Sequence, residues 1–159
     1  MIGQGLPFGK VARSQGRTIG EGEFAMLTNL TWTTRERHAN RELMAQQGES
    51  DRELAGPVVV ALVASLAALG QLNRQLHEEH GVQTLAAMGL EAQFLAPVHP
   101  EDTLWAESEV LSARDSASRP GQGVLTIRDR GINQRGEVVV EVVRTLLVTR
   151  DGMTEEAAR

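Results

Sequence analysis

Residues 32–38, which read WTTRERH, concentrate the side chains that could do chemistry. A histidine side chain gives and takes protons near neutral pH, so His38 is either an acid–base group or an ordinary loop histidine. Glu36 is the carboxylate nearest to it, and it either assists the histidine or remains a solvated charge. Thr33 can hold a water molecule by hydrogen bonds but cannot act as a base near pH 7. Trp32 could line an apolar pocket or anchor the loop.

The element that must position these residues is the apolar segment 56–80, GPVVVALVASLAALGQLNRQLHEEH. Its proline falls in the first turn, where a helix loses no hydrogen bond, and two histidines fall in the last turn, where the helix dipole favours positive charge. The pattern predicts one helix of roughly six turns, apolar nearly all round in its first half. Such a helix is buried on most sides, and the natural cover in a chain of 159 residues is a sheet.

Four segments of strand character follow this helix, at residues 84–98, 103–114, 123–133 and 137–150. Turn sequences such as SRPGQG and NQRG join them, and apolar residues alternate with charged ones along parts of the last two. Because the connections are short, we expect an antiparallel meander. The predicted fold class is α+β, a hotdog fold in which a curved antiparallel sheet wraps the long central helix.

Shorter elements are expected ahead of the long helix. Residues 11–19 could hold a first short strand. Residues 21–29 are typical of a short helix, because acidic residues occupy its first turn. Residues 40–47 predict a second short helix with Asn40 as its N-cap, and residues 30–40 predict a loop.

Composition limits the function classes. A length of 159 residues fits one domain, 1–159, in which 1–10 and 151–159 are expected to be loose ends. The net charge of −5 gives a nucleic-acid role no electrostatic support, and the lack of cysteine excludes disulfides, thiolate metal sites and a cysteine nucleophile. The N-terminus does not resemble a secretory signal, and the apolar run 57–72 is short for a bilayer span. We therefore expect a cytoplasmic protein with no metal and no cofactor.

Two stretches carry a resemblance to a known family. The segment GRTIGEGEFAMLTNLTWTTRERHAN, residues 16–40, resembles the active-site segment of the MaoC-like hydratases and dehydratases. The runs FLAPVHPEDTLWAESEVL and SRPGQGVLTIRDRGINQRGEVVVEVVRTLLV are similar to the subgroup of that family that includes mesaconyl-CoA hydratase. The resemblance extends over residues 16–150, and it implies a hotdog fold and chemistry on an acyl thioester.

The chemistry implied by the resemblance is the addition of water to, or its removal from, a double bond conjugated to a thioester. It needs a base, an acid and N–H donors that stabilise the developing enolate oxygen. The family uses a histidine and an Asp or Asn five positions before it, which correspond to His38 and Thr33, so Thr33 is a departure. The family's oxyanion donor lies at the start of the long helix, and we expect Val60 and Ala61 there, with the Ala61 N–H as donor.

The predicted function is an acyl-CoA hydratase or dehydratase with His38 and Thr33 as catalytic residues and Trp32, Val60, Ala61 and Glu36 as substrate contacts. The expected partners are an acyl-CoA or acyl-carrier thioester and a second copy of the chain, in a homodimer or higher homo-oligomer. No nucleic acid and no membrane are expected. A hotdog subunit without catalysis, and a thioesterase or lyase, remain open as alternatives. Arginines that could contact the CoA phosphates are Arg119, Arg128 and Arg130.

Overall fold

The computed structural model describes residues 1–151 and shows a six-stranded antiparallel sheet that packs on a central helix. The elements in chain order are β1 (Ala12–Arg13), β2 (Arg17–Thr18), α1 (Glu21–Leu30), α2 (Glu36–Ala39), α3 (Arg41–Gln46), α4 (Gly56–Ala68), α5 (Gln71–Glu78), β3 (Val82–Phe94), β4 (Thr103–Asp115), β5 (Gln122–Asn133) and β6 (Val138–Arg150). The predicted α+β class and the four long strands are confirmed.

The order of the strands differs from the predicted meander. Strands β4, β5 and β6 are antiparallel neighbours, but β3 pairs with β6 at the far edge of the sheet instead of pairing with β4. Residues 95–102, the crossing connection, therefore run from one edge of the sheet towards the other. They pass the start of α4, where the Leu54 N–H donates to the Val98 carbonyl at 2.8 Å. The alternation of apolar and charged residues along the strands does not predict this contact with a segment remote in sequence.

The predicted long helix is broken. Helices α4 and α5 meet at an angle of 45°, so the prediction of a single helix is wrong. Gly70 lies at the break with extended backbone, φ −77° and ψ 173°, and glycine is among the least favourable residues inside a helix. The Asn73 side chain donates to the Ala68 carbonyl at 2.8 Å, which satisfies an acceptor at the end of α4. Within residues 1–151, no single helix is both long enough and apolar enough to cross a membrane. The bent pair of α4 and α5 meets the two criteria only when the helices are counted together.

The core consists of two apolar clusters. The larger lies between α4 and the sheet, and in it Phe24 and Val63 are fully buried. The smaller lies beneath α5 and includes Ile2 and Leu6. The expectation of a loose end at residues 1–10 is therefore wrong, because Ile2 is fully buried and its N–H donates to the Asp115 carboxylate at 2.7 Å. Residues 152–159, most of the other expected loose end, lie outside the described residues.

The short helices that flank His38 form largely as their sequences predict. Helix α1 covers the predicted segment, and α3 is capped by Asn40, whose side chain accepts the Leu43 N–H at 3.0 Å. The predicted loop between them contains one additional short helix, α2, which carries His38. The single expected first strand is instead a pair of short strands, β1 and β2, which both pair with β4.

Candidate active site

His38 is fixed to the start of the central helix by the segment that precedes the helix. Its Nδ1 atom lies 2.6 Å from the carbonyl oxygen of Glu53. The Glu53 N–H donates to the Arg37 carbonyl at 3.2 Å, and the Glu53 carboxylate forms an ion pair with the Arg37 guanidinium. Leu54, the next residue, is bonded to the crossing connection. These contacts hold the His38 turn, the start of α4 and the crossing connection together.

The hydrogen bond to Glu53 decides which nitrogen of His38 is basic. A carbonyl oxygen only accepts hydrogen bonds, so Nδ1 carries the proton of the neutral ring and donates it. Nε2 is then the nitrogen with the free lone pair. No group in residues 1–151 forms a hydrogen bond with Nε2. The imidazole is therefore oriented to take a proton through Nε2 and to return it.

A cleft of about 500 Å³ opens beside His38, within the range of small-molecule sites. Its charged lining comes from Arg35, Arg37 and Glu53. The first turn of α4 and residues 94–98 supply most of the apolar lining. The cleft therefore combines one acid–base group with an apolar surface that can hold a small acyl group.

The start of α4 offers this cleft a free backbone donor. The N–H groups of Val58 and Val59 both donate to the Ala55 carbonyl, at 2.9 and 3.1 Å, and Pro57 has no N–H. Gly56 is the first residue of the helix and lines the cleft, and its N–H has no acceptor among the described residues. Free N–H groups and the dipole at a helix start both favour negative charge. The Gly56 N–H is therefore the donor that can stabilise an oxyanion.

The backbone at Gly56 lies against an aromatic ring, and the absence of a side chain leaves room for it. A Cβ atom on Gly56 would lie 2.6 Å from Cε1 of Phe94. The Phe94 ring lines the same cleft. A side chain at position 56 would therefore push the ring aside and narrow the approach to the free N–H.

Two of the predicted substrate contacts, Val60 and Ala61, do not line this cleft. Ala61 is the sixth residue of α4, beyond the four positions whose N–H groups lack an intrahelical acceptor. Val60 is buried under the sheet. The free N–H donor that was expected at Ala61 is therefore at Gly56, the first residue of the helix.

Three further predicted residues also lie away from the cleft. The Thr33 hydroxyl is 2.9 Å from the Thr31 hydroxyl and 3.4 Å from the Thr28 carbonyl, so its hydrogen bonds are local. Trp32 is 87% exposed and has a positive φ of 58°. Glu36 is an exposed residue at the start of α2. Among the residues predicted for the site, His38 lines the cleft and the others do not.

The sequence analysis missed Glu53, Gly56 and Phe94. Glu53 and Gly56 belong to one short segment at the start of α4 and Phe94 to the end of β3, and tertiary contacts bring both next to His38. A signal for Gly56 was present, since the Gly–Pro pair marks the first turn of the helix, where N–H groups are free.

A buried arginine supports the segment that carries Glu53. Arg52 is 9% exposed, and its guanidinium donates to both carboxylate oxygens of Glu21 at 2.7 Å and to Asp51 at 3.1 Å. Burial opposes the charged form of Arg52, but the carboxylates outweigh it and raise its pKa. Burial likewise acts to raise the pKa of Asp51, yet the hydrogen bonds from Arg52 and Arg41 hold it below its usual range. The segment ahead of α4 is therefore anchored by ion pairs.

A second carboxylate anchors the end of the crossing connection. Asp102 is 3% exposed and accepts hydrogen bonds from the His99 N–H at 2.9 Å, from Arg135 at 2.9 Å and from Gln134 at 2.6 Å. Burial acts to raise the pKa of Asp102, but these donors outweigh it and the pKa lies below its usual range. The connection that forms one wall of the cleft is thereby tied to the turn between β5 and β6.

The arrangement of a central helix and a wrapping antiparallel sheet is a hotdog fold, as predicted. A MaoC-like dehydratase from Rhodospirillum rubrum superposes with a TM-score of 0.71 and 22% identity, over 91% of this chain and 94% of its own. A protein of Mycobacterium tuberculosis with a double hotdog fold superposes with a TM-score of 0.74 and 16% identity, over 92% of this chain and 43% of its own.

In sequence, the chain is similar to the mesaconyl-CoA hydratase of Cereibacter sphaeroides. The two are 30% identical over 141 residues, which are 88% of this chain and 38% of the relative. The chain thus spans well under half the length of that relative. No protein-family model matches the chain. The predicted resemblance to MaoC-like hydratases and to mesaconyl-CoA hydratase is confirmed.

Proposed function

We propose that this chain is a hydratase or dehydratase that acts on an acyl thioester carried by CoA. The observation that carries the proposal is the free lone pair on Nε2 of His38 beside an apolar cleft that is also lined by Gly56, whose N–H has no acceptor among the described residues. Similarity to a mesaconyl-CoA hydratase supports the same reaction class. In the hydration direction, the substrate would be a thioester with a double bond between its α and β carbons.

The proposed mechanism uses His38 in both proton transfers. Nε2 takes a proton from water while the water oxygen bonds to the β carbon, and the electron pair of the double bond moves towards the thioester oxygen. The Gly56 N–H and the dipole of α4 stabilise that oxygen. The protonated ring then returns its proton to the α carbon, which gives the hydroxyacyl thioester. Dehydration follows the same steps in reverse.

We assign the second polar role in this mechanism to Glu53 and not to Thr33. The Glu53 carbonyl orients the imidazole, and Glu53 is one of the residues that line the cleft, so its carboxylate, which also pairs with Arg37, can hold the attacking water. Thr33 makes only local hydrogen bonds. Glu53 would thus take the place of the Asp or Asn that the family resemblance leads one to expect at position 33.

Assay of the wild-type chain with a panel of short 2-enoyl-CoA thioesters tests the proposed reaction. The expected result is loss of the absorbance of the conjugated double bond and a product heavier by one water. Release of free CoA without hydration would indicate a thioesterase and contradict the proposal. The absence of any product from the panel and from the corresponding 3-hydroxyacyl thioesters would also contradict it.

The position of Thr33 favours a second candidate, a hotdog subunit that binds an acyl thioester without converting it. No Asp or Asn occupies position 33, and the Thr33 hydroxyl is not part of the cleft. Titration calorimetry with a saturated acyl-CoA separates the two candidates when combined with the panel. Binding without turnover would support the silent subunit.

We also propose that the chain forms a homodimer through the free edge of β3. The free edge of a strand exposes backbone donors and acceptors, which proteins usually cover. The apolar side chains along and just after this edge are between 48% and 59% exposed, namely Leu85, Met88, Leu90, Phe94 and Leu95. Light scattering should give twice the chain mass of 17.3 kDa, and a mass of 17.3 kDa would contradict the proposal.

A further inference from the structure

Arg35 is the cation at the cleft that has no acidic partner. It immediately precedes α2 and lines the cleft, and its guanidinium makes no ion pair or hydrogen bond within residues 1–151. Arg37, which also lines the cleft, is engaged by the Glu53 carboxylate. Arg35 therefore leaves one uncompensated positive charge at the cleft of a chain whose net charge is −5.

The backbone of Arg35 is held close to the reacting group. The His38 N–H donates to the Arg35 carbonyl at 2.8 Å, so the two residues occupy one fixed turn. Arg35 is exposed and is one of the residues that line the cleft, so its long side chain can reach a ligand bound there. A planar guanidinium matches carboxylate and phosphate oxygens with paired donors, so its ligand should be one of these anions.

The arginines that the sequence suggested for this role lie elsewhere. Arg119 belongs to the turn between β4 and β5, at the end of the sheet away from the cleft. Arg128 forms an ion pair with Glu109, and Arg130 is opposite Glu107 in the register of β4 and β5. None of the three lines the cleft.

We propose that Arg35 binds an anionic group of the thioester ligand and thereby selects charged over uncharged thioesters. This inference rests on the proposed function for its ligand class. The anion has two possible sources, a carboxylate on the acyl group or a phosphate of the CoA carrier. The two sources lie at opposite ends of the ligand, so truncated ligands distinguish them.

Binding of three saturated thioesters that cannot be hydrated tests the proposal without turnover. Butyryl-pantetheine carries no anion, glutaryl-pantetheine carries only a carboxylate, and butyryl-CoA carries only phosphates. For Arg35→Gln we expect the Kd of one of the two anionic ligands to rise about tenfold, and the Kd of butyryl-pantetheine to stay unchanged. The ligand that is weakened identifies the source of the anion.

Arg119→Gln is the matched control, because it removes the same charge from an exposed turn away from the cleft. It should leave all three Kd values within about twofold. Equal Kd values for wild type and Arg35→Gln with every ligand would overturn the proposal, as would an equal loss for all three or a matching loss in Arg119→Gln. A wild-type chain that binds none of the three ligands would overturn it too.

The failure of this inference is distinguishable from failure of the proposed function. If the wild type hydrates enoyl-CoA while Arg35→Gln keeps the wild-type ligand preference, only the role of Arg35 is wrong. If charged thioesters bind through Arg35 and are never converted, the anion site stands and the hydratase proposal fails.

Discussion

The two ends of the broken helix differ in their surroundings, which are polar and open at the start of α4 and apolar and closed beneath α5. At the start of α4, the backbone meets ion pairs, a half-buried histidine and an open cleft. Beneath α5, the smaller cluster is closed by residues from the N-terminus, and Ile2 is fully buried there. Polar groups with unused hydrogen-bonding capacity lie at the first end, whereas apolar packing fills the second. We expect mutations at the first end to change activity and mutations at the second to change stability.

The largest effect on stability is expected from Ile2→Ala at the α5 end. Removing a fully buried side chain from a packed cluster should lower the free energy of unfolding by about 2–5 kcal/mol, because the lost contacts leave a cavity. Urea unfolding measures this loss, while kcat per folded molecule should remain that of the wild type. An unchanged midpoint would show that residues 1–10 do not contribute to the core.

Gly56→Ala tests the opposite end. The new Cβ would lie 2.6 Å from the Phe94 ring, so this ring, which lines the cleft, must shift. We expect kcat/KM for enoyl-CoA hydration to fall by about 100-fold, a typical cost of impairing one oxyanion donor. Gly56→Ala combined with Phe94→Leu should recover part of the loss. Full activity in Gly56→Ala would remove Gly56 from the mechanism.

Acid unfolding tests the anchor of the crossing connection. Since the pKa of Asp102 is lowered in the folded state, its contribution to stability is fully present above the unfolded value of about 3.9 and is lost as the pH falls through the lower folded value. Asp102→Asn should lose about 1–2 kcal/mol at neutral pH and should show a shallower loss of stability in acid. Unfolding curves from pH 7 to pH 2 check this, and an acid limb identical to the wild type would contradict it.

The smallest effect is expected from Ala61→Ser. Ala61 is exposed in the second turn of α4 and lies outside the cleft. Stability should change by less than about 0.5 kcal/mol, and kcat/KM should stay within about twofold. A loss of activity comparable to that of Gly56→Ala would return the donor role to Ala61.

The local elements could be predicted from sequence because their signals are local. Asn40 caps α3 as its residue type favours, and the strands β4, β5 and β6 follow their alternation and turns. The pairing of β3 with β6 could not be predicted, since the alternation of a strand says which face is buried and not which neighbour it has. The burial of Ile2 was missed because a glycine-rich segment has no periodicity, although its few apolar side chains still fill the space beneath α5.

The candidate site was predicted in part. Family resemblance pointed to His38, and the structure adds what holds its ring, the Glu53 carbonyl. Glu53 and Gly56 are three residues apart, but both are remote in sequence from His38 and from Phe94, and no motif links them. Their meeting depends on the crossing connection and on the ion pairs of Arg52, which are tertiary features.

The central claim is that His38 performs the proton transfers at the start of α4, and the kcat of His38→Gln tests it most directly. The account predicts a fall of about 100- to 10,000-fold in the hydration of an enoyl-CoA substrate. Unfolding should remain near the wild type, and His77→Gln, at an exposed position of α5, should retain full activity. Wild-type kcat in His38→Gln would contradict the account.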